Sequence, residues 1–275
     1  MLRTYAQLHV LHLLAQPLKC FFCALLIALS LLGCASSGNQ NDLSYKPPEE
    51  TESRRRAKIR LELAVNYYQQ KQSKTALDEI AQALQIDSEF SDAYVMRGLI
   101  MMDAGQNNSA DESFKQALRL SPKDPDANNT YGWFLCQTGK QAQSFAYFNA
   151  AADTPFYATP AKALQNAGIC AADLKDYAKA ESYYQRAFKL DPAQPATLFN
   201  MSKLYLTTQD YERAAFYSGR LSAAVAPSAE TVWLALRVAH FRRDVAAKTN
   251  LATALRRDFS GSKEWNAFQR NAFDD

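Results

Sequence analysis

A period of about 34 residues runs through most of this chain and constrains its fold more than any other feature. Gly132 follows Gly98 by 34 residues, and Gly168 lies 36 residues further on. Gly98 is followed by a large apolar residue three positions later, a turn, an early alanine, an aromatic residue, a second alanine and a proline, and most of these positions recur after Gly132 and Gly168. Internal periods of this length indicate stacked repeats of one supersecondary unit.

The residue types at these positions share a physical role. Small residues let two antiparallel helices approach closely, and the aromatic residue fills the space between one helix pair and the next. Proline ends the second helix because it lacks an N–H and clashes with the preceding turn. No pair buries its own apolar face, so the pairs must stack. The pattern resembles the tetratricopeptide repeat and predicts an all-α, right-handed superhelical solenoid of about six helix-turn-helix repeats.

The pattern predicts the repeat boundaries as well. The second, third and fourth copies match best, the fifth is weaker, and the sixth is degenerate in its second helix, as expected where a terminal repeat must meet water. We expect residues 263–275 to add a last amphipathic cap through Trp265 and Phe268. The six repeats are placed at 57–90, 91–124, 125–158, 161–194, 195–228 and 229–262.

The N-terminal segment has the pattern of an export signal. Cys20 to Leu32 is an apolar run of 13 residues preceded by Lys19, whereas a membrane-spanning helix needs roughly 20. The run has the length of a signal-peptide core. The following Leu31-Leu32-Gly33-Cys34 resembles the bacterial lipobox. We therefore expect residues 1–33 to be cleaved and Cys34 to be lipidated, the alternative being an ordinary secretory signal that ends near a cysteine.

Residues 34–56 are expected to form the lipidated cysteine and a flexible tether. The segment is polar, contains Pro47-Pro48 and has little to bury. Ala35 follows the cysteine, and by resemblance to sorting patterns in Gram-negative lipoproteins this implies export to the outer membrane. Two or three acyl chains give stable anchoring, whereas one chain is reversible.

Composition excludes several classes of function. Arg3 and Lys19 leave with the signal, which brings the net charge from +3 close to zero and leaves no basic field for nucleic acid. Of the three histidines, two lie in the signal and only His240 remains, which is too few for a Ser-His-Asp or Cys-His site or a zinc cluster. No phosphate-loop motif is present. The sequence predicts neither enzyme activity, nor a cofactor, a metal site or a small-molecule substrate.

Tetratricopeptide arrays bind extended or helical segments in a concave groove lined by the first helix of each repeat. By family convention, the second, fifth, ninth and twelfth positions of that helix line the groove. In the first repeats these positions are unusually apolar, which predicts a groove for an amphipathic partner segment. The alternative is that the tether, the tail or a neighbouring helix covers it, and a one-residue register shift would move Trp133 into the core. The predicted groove residues are Leu61, Val65, Tyr68, Val95, Leu99, Met102, Trp133 and Ile169, together with Asn129, Cys136 and Gln165.

Two segments carry a more specific resemblance. "NNTYGWFLC" at 128–136 and "ALQNAGICAADLKDYAKAESYYQRAFKLDP" at 163–192 resemble the type IV pilus biogenesis and stability lipoproteins, the PilW/PilF family of pilotin-like tetratricopeptide proteins. The resemblance extends from the lipobox through the repeats to "FSGSKEW". It implies a protein on the periplasmic face of the outer membrane that binds the pilus secretin and helps this pore to localise and multimerise. The alternative is a tetratricopeptide lipoprotein scaffold of another envelope complex, for β-barrel assembly or cell-wall synthesis.

The same resemblance implies that Cys136 and Cys170 pair. These are the two cysteines left after cleavage and lipidation, in a compartment where disulfides persist. The repeat register is compatible with a bridge, because it puts both cysteines near the same level of successive first helices. Two reduced, buried cysteines remain the alternative.

Overall fold

The structure, a computed structural model, describes residues 50–274. The expected signal at 1–33, the lipidation site Cys34 and the tether as far as residue 49 lie outside the described residues. The described part contains thirteen α-helices and no strand. The helices are α1 Glu52–Gln69, α2 Ser73–Ile86, α3 Ser91–Asp103, α4 Asn107–Leu120, α5 Pro125–Gln137, α6 Gln141–Ala152, α7 Pro160–Asp173, α8 Tyr177–Leu190, α9 Pro195–Thr207, α10 Tyr211–Ala224, α11 Ala229–Phe241, α12 Val245–Phe259 and α13 Lys263–Gln269.

The first twelve helices form six consecutive pairs, and each pair packs on the next. The odd-numbered helices α1 to α11, called A helices below, each also contact the next A helix. The backbones of the even-numbered B helices lie further apart, and these helices meet through side chains, as in the stacked rings of Phe145 on α6 and Tyr183 on α8 at 5.8 Å. The A helices are therefore the closer, inner layer of a curved array. This architecture confirms the predicted all-α solenoid of stacked helix pairs.

The repeat period is visible in the backbone as well as in the sequence. At every A-to-B turn one residue adopts a left-handed conformation with φ between 60° and 82°. Two of the six are glycines, and the other four accept a conformation that costs an L-residue roughly 1–2 kcal/mol. The six turn residues are Lys71, Gly105, Gly139, Lys175, Gln209 and Arg243.

Within three of the pairs, the two helices approach closely where a glycine of the A helix faces an aromatic ring of the B helix. A Cβ atom built on Gly98 would lie 2.6 Å from the ring of Phe114, and one on Gly132 would lie 2.9 Å from the ring of Phe148. At Gly168 the distance to the ring of Tyr184 would be 2.3 Å. The three periodic glycines therefore mark places where the aromatic ring occupies the space of a side chain.

We predict that Gly168→Ala lowers the free energy of unfolding by about 1–3 kcal/mol, because the methyl group and the Tyr184 ring cannot occupy the same space. Gly219→Ala is the matched control. It lies within helix α10, has nothing within 4 Å of its would-be Cβ, and should gain about 0.5–1 kcal/mol from reduced backbone entropy. Urea unfolding of both variants measures the difference. Equal stability of the two would contradict the proposed contact.

The first helix begins at Glu52 rather than at the predicted residue 57, so residues 52–56 belong to the array and not to the tether. Thr51 caps the helix by accepting a hydrogen bond from the backbone N–H of Arg54 at 3.1 Å. Arg54 also pairs with Asp87, after helix α2. The charged stretch is polar enough for a tether, but its cap and ion pair favour helix.

The C-terminal tail packs against the last repeat. Trp265 and Phe268 lie on α13 and pack with Trp233 and Phe273 in an apolar cluster that covers the last repeat. The Nε of Arg237 donates to the carbonyl of Phe273 at 2.7 Å. The ring of His240 stacks on that of Phe273 at 3.9 Å, so the remaining histidine has a packing role in this cap.

The cap predicts a pH dependence of stability. Burial, with a further contribution from Lys248, lowers the pKa of His240 below its ordinary 6.5, and Asp274 opposes this shift. The folded protein therefore binds fewer protons than the unfolded chain once the pH falls below about 6.5, so stability should decline there as the pH falls. Thermal melts over this range should show that the melting temperature of the wild type falls as the pH falls. The melting temperature of His240→Gln should fall less steeply. Equal slopes would contradict the assignment.

Candidate partner-binding groove

The eight residues proposed to line the groove all lie on A helices, and all eight are half-buried. Six of them, on α1 and α3, belong to the first two repeats, and Trp133 and Ile169 follow on α5 and α7. We call this set the apolar stripe: Leu61, Val65, Tyr68, Val95, Leu99, Met102, Trp133 and Ile169. Partial burial on the inner layer is what a binding surface requires, because each side chain is held by its neighbours and keeps an accessible part.

The apolar stripe is anchored in the core beneath it. Leu99 packs against two core clusters, one containing Ile80 and Ile100 and the other containing Phe114 and Phe134. Trp133 packs against the cluster that includes the disulfide cysteines. Trp133 is thus positioned by the core without being enclosed in it.

The only ionisable side chain of the stripe is held neutral. The hydroxyl of Tyr68 donates to the carboxylate of Asp103, on the next A helix. Burial, together with this hydrogen bond, raises the pKa of Tyr68 to about 12. The phenol therefore contributes an uncharged ring to the surface and ties α1 to α3.

Two other register positions, Asn129 and Cys136, are buried in the contact between α5 and α7 instead of lining the groove. Asn129 accepts a hydrogen bond from the side-chain amide of Asn166 at 3.0 Å. The structure joins Cys136 to Cys170 by a disulfide with a Cα–Cα distance of 5.8 Å, which lies in the usual range. The remaining position, Gln165, is half-buried. These side chains connect repeats three and four.

The C-terminal half of the inner layer was not predicted from the sequence. Phe199 and Lys203 hold the fifth and ninth positions of repeat five, and Trp233 and Arg237 hold those of repeat six. All four line a cavity of about 390 Å³ between α9, α11 and α13. The same register identifies them, although repeats five and six match the consensus less well than the repeats before them.

Other kinds of site find no support within residues 50–274. No group of three or more histidine, cysteine, aspartate or glutamate side chains there has the geometry to hold a metal ion. None of the helices in that range combines the length and apolar character needed to cross a membrane.

Comparison with known proteins agrees with the fold and indicates which repeat proteins this chain is similar to. The sequence profile of the tetratricopeptide repeat family matches residues 34–220. The chain is 26% identical to the type IV pilus assembly protein PilF of Pseudomonas aeruginosa over 244 residues, which is 89% of this chain and 95% of that protein.

Two solved structures also superpose on this chain. The crystal structure of PilW, a widely conserved type IV pilus biogenesis factor, is 29% identical with a TM-score of 0.72 and covers 78% of this chain and 98% of its own. The structure of Pseudomonas aeruginosa PilF is 22% identical with a TM-score of 0.70 and covers 80% of this chain and all of its own. The profile match and these relatives together show that the chain belongs to the tetratricopeptide repeat family, as a homologue of the type IV pilus proteins PilF and PilW.

Proposed function

We propose that this protein is an outer-membrane lipoprotein of type IV pilus biogenesis that acts as a pilotin. A lipid on Cys34 would hold it at the periplasmic face, and the array would bind the pilus secretin and promote its localisation and multimerisation. The mechanism is binding and not catalysis. Export toward the outer membrane thereby carries a bound secretin segment to the place where the pore assembles.

The observation that carries the proposal is the apolar stripe on the inner layer, in a chain homologous to a type IV pilus assembly protein over 95% of that protein's length. An amphipathic segment lying across the A helices would cover apolar side chains on α1, α3, α5 and α7. Burying apolar surface contributes roughly 25 cal/mol per Å² before the costs of association. A few half-buried anchors are enough, because hot spots carry most of the binding energy.

The proposed localisation at the outer membrane is inferred from the sequence of the N-terminal segment. The lipobox-like Leu31-Leu32-Gly33-Cys34 and the polar segment after it support lipidation and a tethered array. Helix α1 begins at Glu52, so the expected tether is shorter than the sequence suggests. As a flexible coil, the 17 residues from Ala35 to Thr51 would span about 20–25 Å root-mean-square.

We predict that Leu99→Glu weakens binding of the secretin by at least about tenfold, because it places a charge in the centre of the apolar stripe. Leu190→Glu is the matched control. It makes the same change at a side chain that is 57% exposed at the end of the B helix α8, outside the inner layer. Binding of the purified secretin of the same organism to each full-length variant, measured in detergent, gives the two affinities.

The prediction requires that the variants stay folded, which circular dichroism and melting temperature establish. Trp133→Glu provides a second test on a different helix. If both stripe variants are folded and bind the secretin as tightly as Leu190→Glu, the partner docks elsewhere and the proposed groove is wrong.

A further inference from the structure

The loop that joins α6 to α7 is longer than the loops at equivalent places in the other repeats. It comprises residues 153–159 and is called the long loop below. The insertion falls where the spacing of the periodic glycines rises from 34 to 36 residues. Insertions in repeat arrays map to such loops and often serve binding. Four other loops from a B helix to the next A helix have four residues each, at 87–90, 121–124, 191–194 and 225–228.

Phe156 lies in the long loop with an exposed ring and a left-handed backbone. Its relative exposure of 104% is higher than that of any other large apolar side chain in residues 50–274. Its φ is 60°, a conformation that bulky L-residues rarely adopt. The other non-glycine residues with a positive φ in this range are all polar or charged. The ring therefore adds nothing to the core, and the backbone conformation disfavours it, which points to a role outside the fold.

The residues on either side of Phe156 are held by the array. The hydroxyl of Tyr157 donates to the carboxylate of Asp126, at the start of α5, at 2.8 Å. Burial raises the pKa of Tyr157 to about 12, so the phenol remains a donor. Asp153 pairs with Arg186, on α8, at 3.1 Å. The long loop is thus fixed at both ends, and these contacts engage the carboxylates of Asp126 and Asp153.

The long loop lies at the edge of the array where the described chain begins. Arg54, at the start of α1, pairs with Asp87, just after the end of α2, so the two helices of a pair are antiparallel. The loops from B helices to A helices therefore lie at the edge where Thr51 caps α1, and the A-to-B turns lie at the opposite edge. We call the first the tether edge, because the expected lipid site, Cys34, is 17 residues before Thr51.

We propose that the ring of Phe156 inserts into the lipid surface that holds the acyl anchor, so that the array stands with its tether edge on the bilayer. This inference rests on the lipid at Cys34 proposed above. The anchor brings the tether edge next to an apolar medium, and an exposed phenyl ring is stabilised at the boundary between headgroups and acyl chains. A second contact besides the anchor limits the rotation that the tether allows and keeps the inner layer turned sideways, open to a partner.

The test uses the full-length lipoprotein in phosphatidylcholine vesicles that contain lipid with a nitroxide headgroup. A fluorophore is attached either to Lys123→Cys, at the tether edge, or to Asn108→Cys, at the other end of the same helix, α4; both positions are exposed. The 14 residues of α4 separate the two edges by about 20 Å. The nitroxide should quench the label at position 123 and leave the label at position 108 bright. Salt should not change this result, because apolar burial and not charge drives insertion.

Phe156→Asn should bring the quenching at position 123 down to the level at position 108. Loss of the buried ring makes the inserted orientation about tenfold less favourable. Asparagine accepts a positive φ, so this variant should melt no lower than the wild type. Leu174→Asn is the matched control, because that side chain is also apolar and 47% exposed but lies at the opposite edge, after α7. It should leave the quenching at position 123 unchanged.

Equal quenching at positions 123 and 108 in vesicle-bound protein would overturn this inference and leave the proposed function standing. Unchanged quenching at position 123 in Phe156→Asn would do the same, and weaker secretin binding by that variant would then assign the ring to a protein contact. A lower melting temperature of Phe156→Asn would also contradict the inference, since the ring would then serve the fold. Protein that does not float with the vesicles lacks the lipid, which would overturn the proposed localisation as well.

Discussion

Removing the Cys136–Cys170 disulfide will lower the free energy of unfolding by about 3–4 kcal/mol. The bond closes a loop between residues 34 apart in sequence, and the chain-entropy relation for a loop of that length gives this magnitude. Because it joins the A helices of repeats three and four, it also couples the two halves of the array. Urea unfolding of the double variant Cys136→Ala/Cys170→Ala, compared with the wild type, measures the loss.

The wild-type protein under reducing conditions is the control, since it keeps both side chains and loses only the bond. It should be destabilised to a similar extent as the double variant. Mass spectrometry of the protein purified from the cell envelope without reductant should find no free thiol at either position. Two free thiols there would favour the alternative of reduced, buried cysteines.

The second large effect is expected at Phe148. This ring is fully buried and lies over Gly132 of the partner helix, so it closes the third helix pair. Phe148→Ala should cost about 3–5 kcal/mol, as is typical when a core aromatic is truncated and its space stays partly empty. Phe216→Ala is the control, because that ring is 55% exposed on α10. It should change stability by no more than about 0.5 kcal/mol.

Urea unfolding of the two phenylalanine variants tests this directly. A loss below about 1 kcal/mol for Phe148→Ala would mean that the neighbouring helices collapse into the space, and that the glycine–aromatic contact does not hold the pair together. A loss at Phe216 as large as that at Phe148 would mean that the exposed ring is part of the fold's stabilising core.

The fold was predictable because one physical requirement recurs in three successive repeats. Gly98, Gly132 and Gly168 each leave space for an aromatic ring 16 residues later. A pattern that recurs in this way can be recognised in a single sequence. The left-handed conformation of the turn residues was harder to predict from the sequence. Gly105 and Gly139 suit a positive φ, but Lys71, Lys175, Gln209 and Arg243 adopt the same conformation because the packing of the two helices imposes it.

The groove was partly predictable for a similar reason. In the first repeats the apolar residues at the lining positions contrast with the polar consensus of a solvated face, so the apolar stripe stood out. The cavity between α9, α11 and α13 could not be predicted in this way. It depends on α13, which follows the last repeat, and on Lys203 and Arg270, which look like ordinary surface cations in the sequence. Only the packing of the cap against α11 encloses Trp233 and brings those charges beside it.

We propose that this protein promotes assembly of the pilus secretin. This proposal is tested most directly by deleting the gene and measuring secretin multimers in outer-membrane fractions, with the wild-type gene and the Leu99→Glu variant restored separately. We expect multimers and twitching to be lost in the deletion, to return with the wild type and to fail to return with Leu99→Glu. Normal multimers and intact pili in the deletion strain, together with a defective envelope, would contradict it and favour a scaffold of another envelope complex.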